Sequence, residues 1–341
     1  MNIPWAAPDF GEQEKKAAKR VVDSGWMTMG EETQRLETEL AAVTGKKHNI
    51  VFNSGTNAIL ASLLAIGAYH EGYTVRIPSY TFKATENAVY ASGLRRVKYG
   101  DVNPSTVLMK PKDSGKRYEI QIPVHYAGLP INQQVWGETR LVVEDAAESF
   151  GATTRYTGDV SGDRILCYSF HAAKVVTMIE GGCASTDNPE YAYKLRAVRC
   201  HGENPDEKGA FITRGLNMKP LDICSAVGRV QLKKLKTYLS NRERIAKLYR
   251  EELDGVVGFQ LIPDYVKQHA NMMFPIFVKN PVKLATCLMR KGVGYRLGWK
   301  PLKHMLGADF VYRHVICIPM YNTLTPDEAL YVTEVVKEYL T

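Results

Sequence analysis

The sequence predicts an α/β protein whose mostly parallel sheet is flanked by helices, followed by a smaller α+β unit. Three observations carry that expectation. From Ile50 onward, short apolar runs alternate with amphipathic helical stretches, as strands alternate with crossover helices. Polar turns stand directly after two of those runs, at Asn53-Ser54-Gly55-Thr56 and at Glu144-Asp145, the edge where open α/β sheets bind ligands. Near residue 240 the pattern shifts to shorter, mixed elements, which sets a large domain at 1–240 and a small one at 241–341.

Taken in order, Asn49 to Phe52 reads as the first strand, and the helix after it carries Ile59, Leu60, Leu63 and Leu64 on its apolar side. Thr74 to Ile77 reads as a strand that Pro78 ends. Leu94–Tyr99, Glu119–Val124, Leu141–Val143, Ile165–Phe170 and Cys183–Ser185 complete the sheet. A long helix spans Ile223–Arg250, with Ile223, Val227, Val230, Leu232, Leu235 and Leu239 as its packing positions. Beyond it come a strand at Met272–Val278 and a helix at Pro281–Lys291.

Composition narrows the function classes. A chain of 341 residues can bury a large core, and 45% hydrophobic with 23% charged residues is ordinary for a globular protein. The longest apolar stretch, Ile59–Ala68, is too short to span a membrane. The N-terminus shows no basic region followed by an apolar core, so a cytoplasmic protein is expected. The net charge of +8 is spread over helical faces such as residues 15–20 and 233–236, without a nucleic-acid-binding module. No partner of that class is expected. Six cysteines without a C-x-x-C pair suit a reducing compartment and small, partly buried roles; no metal site is expected.

Three segments carry chemistry. Asn53-Ser54-Gly55-Thr56-Asn57 joins a strand to a helix, and the free N–H groups of a helix N-terminus attract an anion such as phosphate. The same residues also serve as ordinary helix caps. It matches neither nucleotide-binding glycine motif. Asp145, just past an apolar strand, can keep a pyridine nitrogen protonated; as a helix cap it would look the same. Lys174 follows Tyr168-Ser169-Phe170-His171 in a small, apolar setting before Gly181-Gly182. A surface lysine is the usual alternative, but a desolvated one has a lowered pKa and suits Schiff-base chemistry.

Their order and spacing resemble the DegT/StrS family of sugar aminotransferases, within the fold-type I pyridoxal-phosphate enzymes. The matching residues are Asp23-Ser24-Gly25-Trp26 with Gly30, Asn53-Ser54-Gly55-Thr56, Pro78-Ser79-Tyr80-Thr81-Phe82 and Pro123-Val124-His125. They continue with Glu144-Asp145-Ala146-Ala147-Glu148, Ser169-Phe170-His171 with Lys174, Glu180-Gly181-Gly182 and Gly215-Leu216-Asn217. The similarity runs from about Ile3 to Leu235 and more loosely beyond.

The resemblance implies pyridoxal 5'-phosphate as cofactor, with Lys174 as its Schiff-base lysine and proton shuttle and Asp145 on the pyridine nitrogen. It implies Phe82 stacked on the ring, Glu148 on the ring hydroxyl side, and Gly55, Thr56 and Ser169 on the phosphate. Asn217 would reach the phosphate from a neighbouring subunit, which implies a homodimer with shared active sites. Glu148 stands where glutamine is common, and Lys219 where arginine is frequent. The implied reaction moves an amino group from glutamate to a keto sugar, nucleotide-linked by expectation. Lys174 speaks against the family's dehydratase branch, which has histidine there. A cofactor-binding regulator without turnover and an aminotransferase for a cyclitol stay open as alternatives. His125 is read as pocket-lining or structural with equal weight, and packing is the expectation for His171, Tyr80 and Trp26.

Overall fold

Apolar runs bounded by turn residues form strands here, and the helices between them return the chain so that successive strands lie parallel. The computed structural model describes residues 2–69, 72–111, 119–136, 141–155 and 163–340. Helices α1 (Glu12–Ser24) and α2 (Glu31–Thr44) precede β1 (His48–Phe52), α3 (Gly55–Ile66), β2 (Thr74–Pro78) and α4 (Lys83–Ala91). Strands β3 (Val97–Gly100), β4 (Glu119–Gln121), β5 (Leu141–Asp145), β6 (Thr153–Thr154), β7 (Asp163–Ser169) and β8 (Gly182–Thr186) follow. Then come α5 (Pro189–Arg199) and the long α6 (Asp222–Glu252). The remainder contains β9 (Gly258–Phe259), β10 (Val266–Gln268), β11 (Phe274–Phe277), α7 (Pro281–Arg290), β12 (Arg296–Leu297), α8 (Leu306–His314), β13 (Val315–Ile318) and α9 (Pro326–Leu340).

The main sheet has the order β1-β8-β7-β5-β4-β2-β3. Strands β3, β2, β4, β5 and β7 run parallel, whereas β8 is antiparallel to both β7 and β1. The C-terminal ends of β2, β5 and β7 therefore open on one edge. Helix α3 is covered all round: Ala58, Ala61, Ser62 and Ala65 are buried along with Ile59, Leu60, Leu63 and Leu64. Its small residues let it lie between the sheet and α4 and α5, so it is a core helix rather than the one-sided helix its larger residues suggest.

The structure also moves several element boundaries. Leu94 is not in a strand; it is buried after the left-handed Gly93, and the ladder begins at Val97. Regular pairing covers only Glu119–Gln121 and Phe274–Phe277 of the two longer expected strands. Along α6, Val227 and Leu235 are fully buried, while Ile223, Val230, Leu232 and Leu239 are only partly so. Polar Gln231 and Arg242 share the buried face because tertiary partners accept from their N–H groups: Gln231 donates to the Asp9 carbonyl at 2.6 Å. No residue pattern announces those partners.

Helix α6 runs unbroken across residue 240 and packs on α1, α2 and α9. The C-terminal sheet, β12-β13-β11-β9, is antiparallel throughout and is backed by α7 and α9. The N-terminal arm joins that unit: Ile3 is buried there and pairs with Val293.

One carboxylate ties α2 to α6. Asp222, in the first turn of α6, accepts from the Gly30, Glu32 and Thr33 amides at 2.8–3.0 Å and from the Thr33 hydroxyl at 2.6 Å. A buried anion thus serves the N-termini of two helices at once, where both dipoles favour it. Replacing Asp222 by Ala leaves those donors buried without an acceptor, at a cost of about 3 kcal/mol. Asp222→Asn keeps one acceptor oxygen and is expected to lose less than half as much; urea unfolding of the two variants measures the difference.

Candidate active site

The strand-to-helix turn after β1 builds one wall of the site. Ser54 caps α3, its hydroxyl accepting from the Asn57 amide at 3.1 Å, and the first-turn amides of Gly55 and Thr56 face a cleft. Ser169, the last residue of β7, lies against this turn. A Cβ on Gly55 would come within 2.8 Å of the Ser169 Cβ, and one on Gly182 within 2.4 Å of the Ser54 carbonyl group. Both glycines therefore let two strand ends and a helix start lie flush, which brings three polar groups to one spot. For Gly55 the close neighbour is thus a protein side chain, as well as any ligand.

Asp145 ends β5 and is buried. Its Oδ2 accepts from the Thr85 hydroxyl at 2.6 Å and its Oδ1 from the Ala147 amide at 3.2 Å. The backbone on either side is fixed too, because Asp145 donates to the Pro123 carbonyl and accepts from the His125 amide. Three residues on, Glu148 turns into the same cleft, with Oε2 accepting from the Ala127 amide at 2.8 Å. Burial raises the Glu148 pKa above the usual carboxylate value, against the lowering effect of Lys174.

Lys174 follows β7 in a short turned segment and points inward, its side chain 16% exposed and its Nζ 3.9 Å from Glu148 Oε1. Burial lowers its pKa, opposed by the charges of Glu148 and Asp145 and assisted by that of Arg296. Loss of hydration outweighs the nearby carboxylates because neither makes a short contact with the ammonium.

These groups share a cleft of about 330 Å³. Phe82, at the start of α4, is 51% exposed and lines it. The far wall comes from outside the main sheet: Trp5 of the N-terminal arm, Met272, and Arg296 and Trp299 of the C-terminal unit. The Arg296 guanidinium lies 5.1 Å from the Trp5 ring, 5.2 Å from Trp299 and 5.8 Å from Phe82.

Gly55, Thr56, Phe82, Asp145, Glu148, Ser169 and Lys174 are thus brought together by the fold. Asn217 is not; it is exposed, pairs with Cys200 and lies outside this chain's cleft. Sequence reasoning missed Thr85, Trp5, Arg296 and Trp299. Thr85 stands one helical turn after Thr81 with nothing to mark it, and the other three reach the cleft only through tertiary packing.

The weaker candidates separate clearly. His125 faces away from the cleft, between Ser149 Oγ at 2.7 Å and Glu144 Oε2 at 3.0 Å, and is structural. His171 lines the cleft 3.6 Å from Glu180, so packing does not describe it. Tyr80 is buried in an aromatic cluster with Tyr126 and Trp299. Trp26 is 62% exposed and so is not a core residue.

Comparisons with known proteins bear on the family and the fold. The profile of the DegT/DnrJ/EryC1/StrS aminotransferase family matches residues 8–337. An uncharacterized protein of Methanocaldococcus jannaschii is 29% identical over 380 aligned residues, 98% of this chain and 97% of that protein. The structure of DesV from S. venezuelae superposes with a TM-score of 0.87 at 25% identity, covering 96% of this chain and 94% of that one. GDP-4-keto-6-deoxy-D-mannose-3-dehydratase of E. coli, solved with bound hydrated PLP, shares the fold with a TM-score of 0.87 at 22% identity, over 98% and 99% of the chains.

The lysine leaves a signature in the cofactor-free protein. Since its pKa is lowered from 10.5 on folding, the unfolded chain binds more protons at this position, and stability rises with pH toward that value. Lys174→Met removes both the cost and the slope. The variant is expected to be more stable than the parent by about 1 kcal/mol at neutral pH. That advantage should shrink as pH approaches 10.5; denaturant midpoints across a pH series check it.

Proposed function

The chain belongs to the DegT/DnrJ/EryC1/StrS aminotransferase family and is a pyridoxal-phosphate-dependent enzyme of the sugar aminotransferase type, and we propose that it moves an amino group from glutamate onto the ketone of a nucleotide-linked sugar. The observation that carries the reading is the convergence of Lys174 and the Thr85-held Asp145 on one cleft, opposite the phosphate-type turn at Gly55.

The residues present fit the cofactor. Amides of Gly55 and Thr56 with the Ser169 hydroxyl suit its phosphate, and Phe82 offers a ring face. Asp145, already ordered by Thr85 and the Ala147 amide, suits a protonated pyridine nitrogen. Bound there, pyridoxal phosphate supplies an electron sink for charge developing on the donor's α-carbon. Lys174 would be the residue that holds the cofactor through its aldehyde, and its Nζ would hold and move a proton beside the substrate's α-carbon. Burial lowers the proton affinity of this lysine, which favours the uncharged amine that the role needs. Glu148 moderates that lowering from 3.9 Å away. Arg296 forms no ion pair among the described residues and faces the cleft, so it can receive an anionic group of the substrate.

Support for a nucleotide-linked acceptor comes from the E. coli fold relative, whose name states a GDP-linked keto sugar, and from the basic balance of the chain. The homodimer reading rests on Asn217, which is exposed and outside its own cleft, in a region that also exposes Phe211, Ile212 and Leu216. In that dimer Asn217 would complete the partner's phosphate site. A cytoplasmic location suits the free cysteines.

The deciding experiment loads the enzyme with amino groups from glutamate and adds nucleotide-linked keto sugars one at a time. Return of the lysine-bound cofactor's absorbance identifies the acceptor. Lys174→Ala is expected to lower turnover by about 10³-fold or more; turnover at the parent rate would end the assignment. Mixing Lys174→Ala with Asn217→Ala chains tests the shared site. Mixed dimers regain one intact site, so activity should rise well above that of either variant alone.

A further inference from the structure

Arg242 is the most completely buried cation of the described residues, 2% exposed in the middle of α6, and it has no carboxylate partner there. Its Nε donates to Asn322 Oδ1 at 2.7 Å, and its Nη1 donates to the carbonyls of Asn271 (2.8 Å), Met272 (3.2 Å) and Met320 (3.3 Å). Carbonyl oxygens compensate a buried charge only in part, and burial pushes this guanidinium down to about 9. An apolar residue would fill the space without that cost, so the contacts the fork makes are its purpose.

Two hydrogen-bonded paths lead from it to Lys174. In the first, Arg242 fixes the orientation of the Asn322 amide, whose Nδ2 then donates to the Val175 carbonyl at 2.9 Å, immediately after Lys174. In the second, Arg242 holds the Met272 carbonyl, and the Met272 amide donates to the Ala127 carbonyl at 3.1 Å. The Ala127 amide donates in turn to Glu148 Oε2, and Glu148 Oε1 stands 3.9 Å from Lys174 Nζ. Ala127 takes a left-handed φ of 58°, so its amide and carbonyl are aimed by a strained turn that needs holding. One path sets the backbone that carries the lysine, and the other sets the carboxylate that faces it.

We infer that Arg242 is a positioning residue that, through Asn322 and through Met272–Ala127, fixes the separation of the reacting amine, Lys174, from Glu148. The inference rests on Lys174 being that amine. Charged groups facing Lys174 come from several elements: Asp145 and Glu148 after β5, Arg296 of β12, and His171 and Glu180 of its own segment. Of these, Glu148 is the one whose position the Arg242 paths fix. Loosening either path weakens the raising effect of Glu148, so the Lys174 pKa falls further.

The test labels cofactor-free protein with a small amine-acylating reagent and follows the Lys174 peptide by mass spectrometry across pH. Arg242→Lys keeps the charge but not the fork, and Asn322→Ala cuts only the first path. In both, the labelling midpoint is expected to move down by about half a pH unit, roughly three-fold faster labelling below the midpoint. Turnover of the loaded variants should fall on the order of ten-fold with donor KM little changed. Unchanged labelling midpoints in folded variants, with only thermal stability reduced, would overturn the proposal. Labelling does not need turnover, so a shifted midpoint in a protein that transaminates nothing would fault the functional reading alone. If Arg242→Lys fails to fold, Asn322→Ala decides.

Discussion

Water is kept from Lys174 while two carboxylates stand near it, and neither closes a short ion pair. In water the ammonium would keep its full hydration, and against a close carboxylate it would be locked as a cation. Partial burial with Glu148 at 3.9 Å leaves the proton less firmly held than in water. Much of the surrounding structure maintains that separation. The last residues of β5 carry Asp145 and its neighbour turn, the end of β7 leads into the lysine segment, and α6 reaches both through Arg242.

The protein treats buried charge in three different ways. Glu144, one residue before Asp145 on β5, points to the opposite face of the sheet. There burial would raise its pKa, but His125 and Arg164 outweigh that and hold it below the usual range. That cluster is paired and structural. Arg242 is matched only by carbonyls and one amide. Lys174 is matched least, and it alone of the three lies on the cleft. Adjacent residues on a strand thus face opposite ways, because the period of two sends Glu144 to a packed ion cluster and Asp145 to the cleft.

Much of the site was legible in the chain because its parts sit at the ends of apolar runs, where turn chemistry shows. Ser54-Gly55-Thr56, Asp145, Ser169 and Lys174 each follow such a run and meet at one edge of the sheet. Phe82 follows β2 in the same way. Thr85, Trp5, Arg296 and Trp299 had no such mark. His125, open between pocket and packing, proved structural, and His171, expected to pack, lines the cleft, since which side of a turn faces the cleft depends on neighbours far away in sequence.

The sequence by itself determined the alternation of strand and helix, the turns at the strand ends and the order in which the chemical groups appear. These are local matters of period and turn residue. Tertiary structure decided the rest. It wrapped α3 on all sides, drew an N-terminal tryptophan and a C-terminal arginine into the cleft, and set Lys174 at its distance from Glu148. A pKa depends on burial and on charges brought from remote segments, and no stretch of sequence contains those.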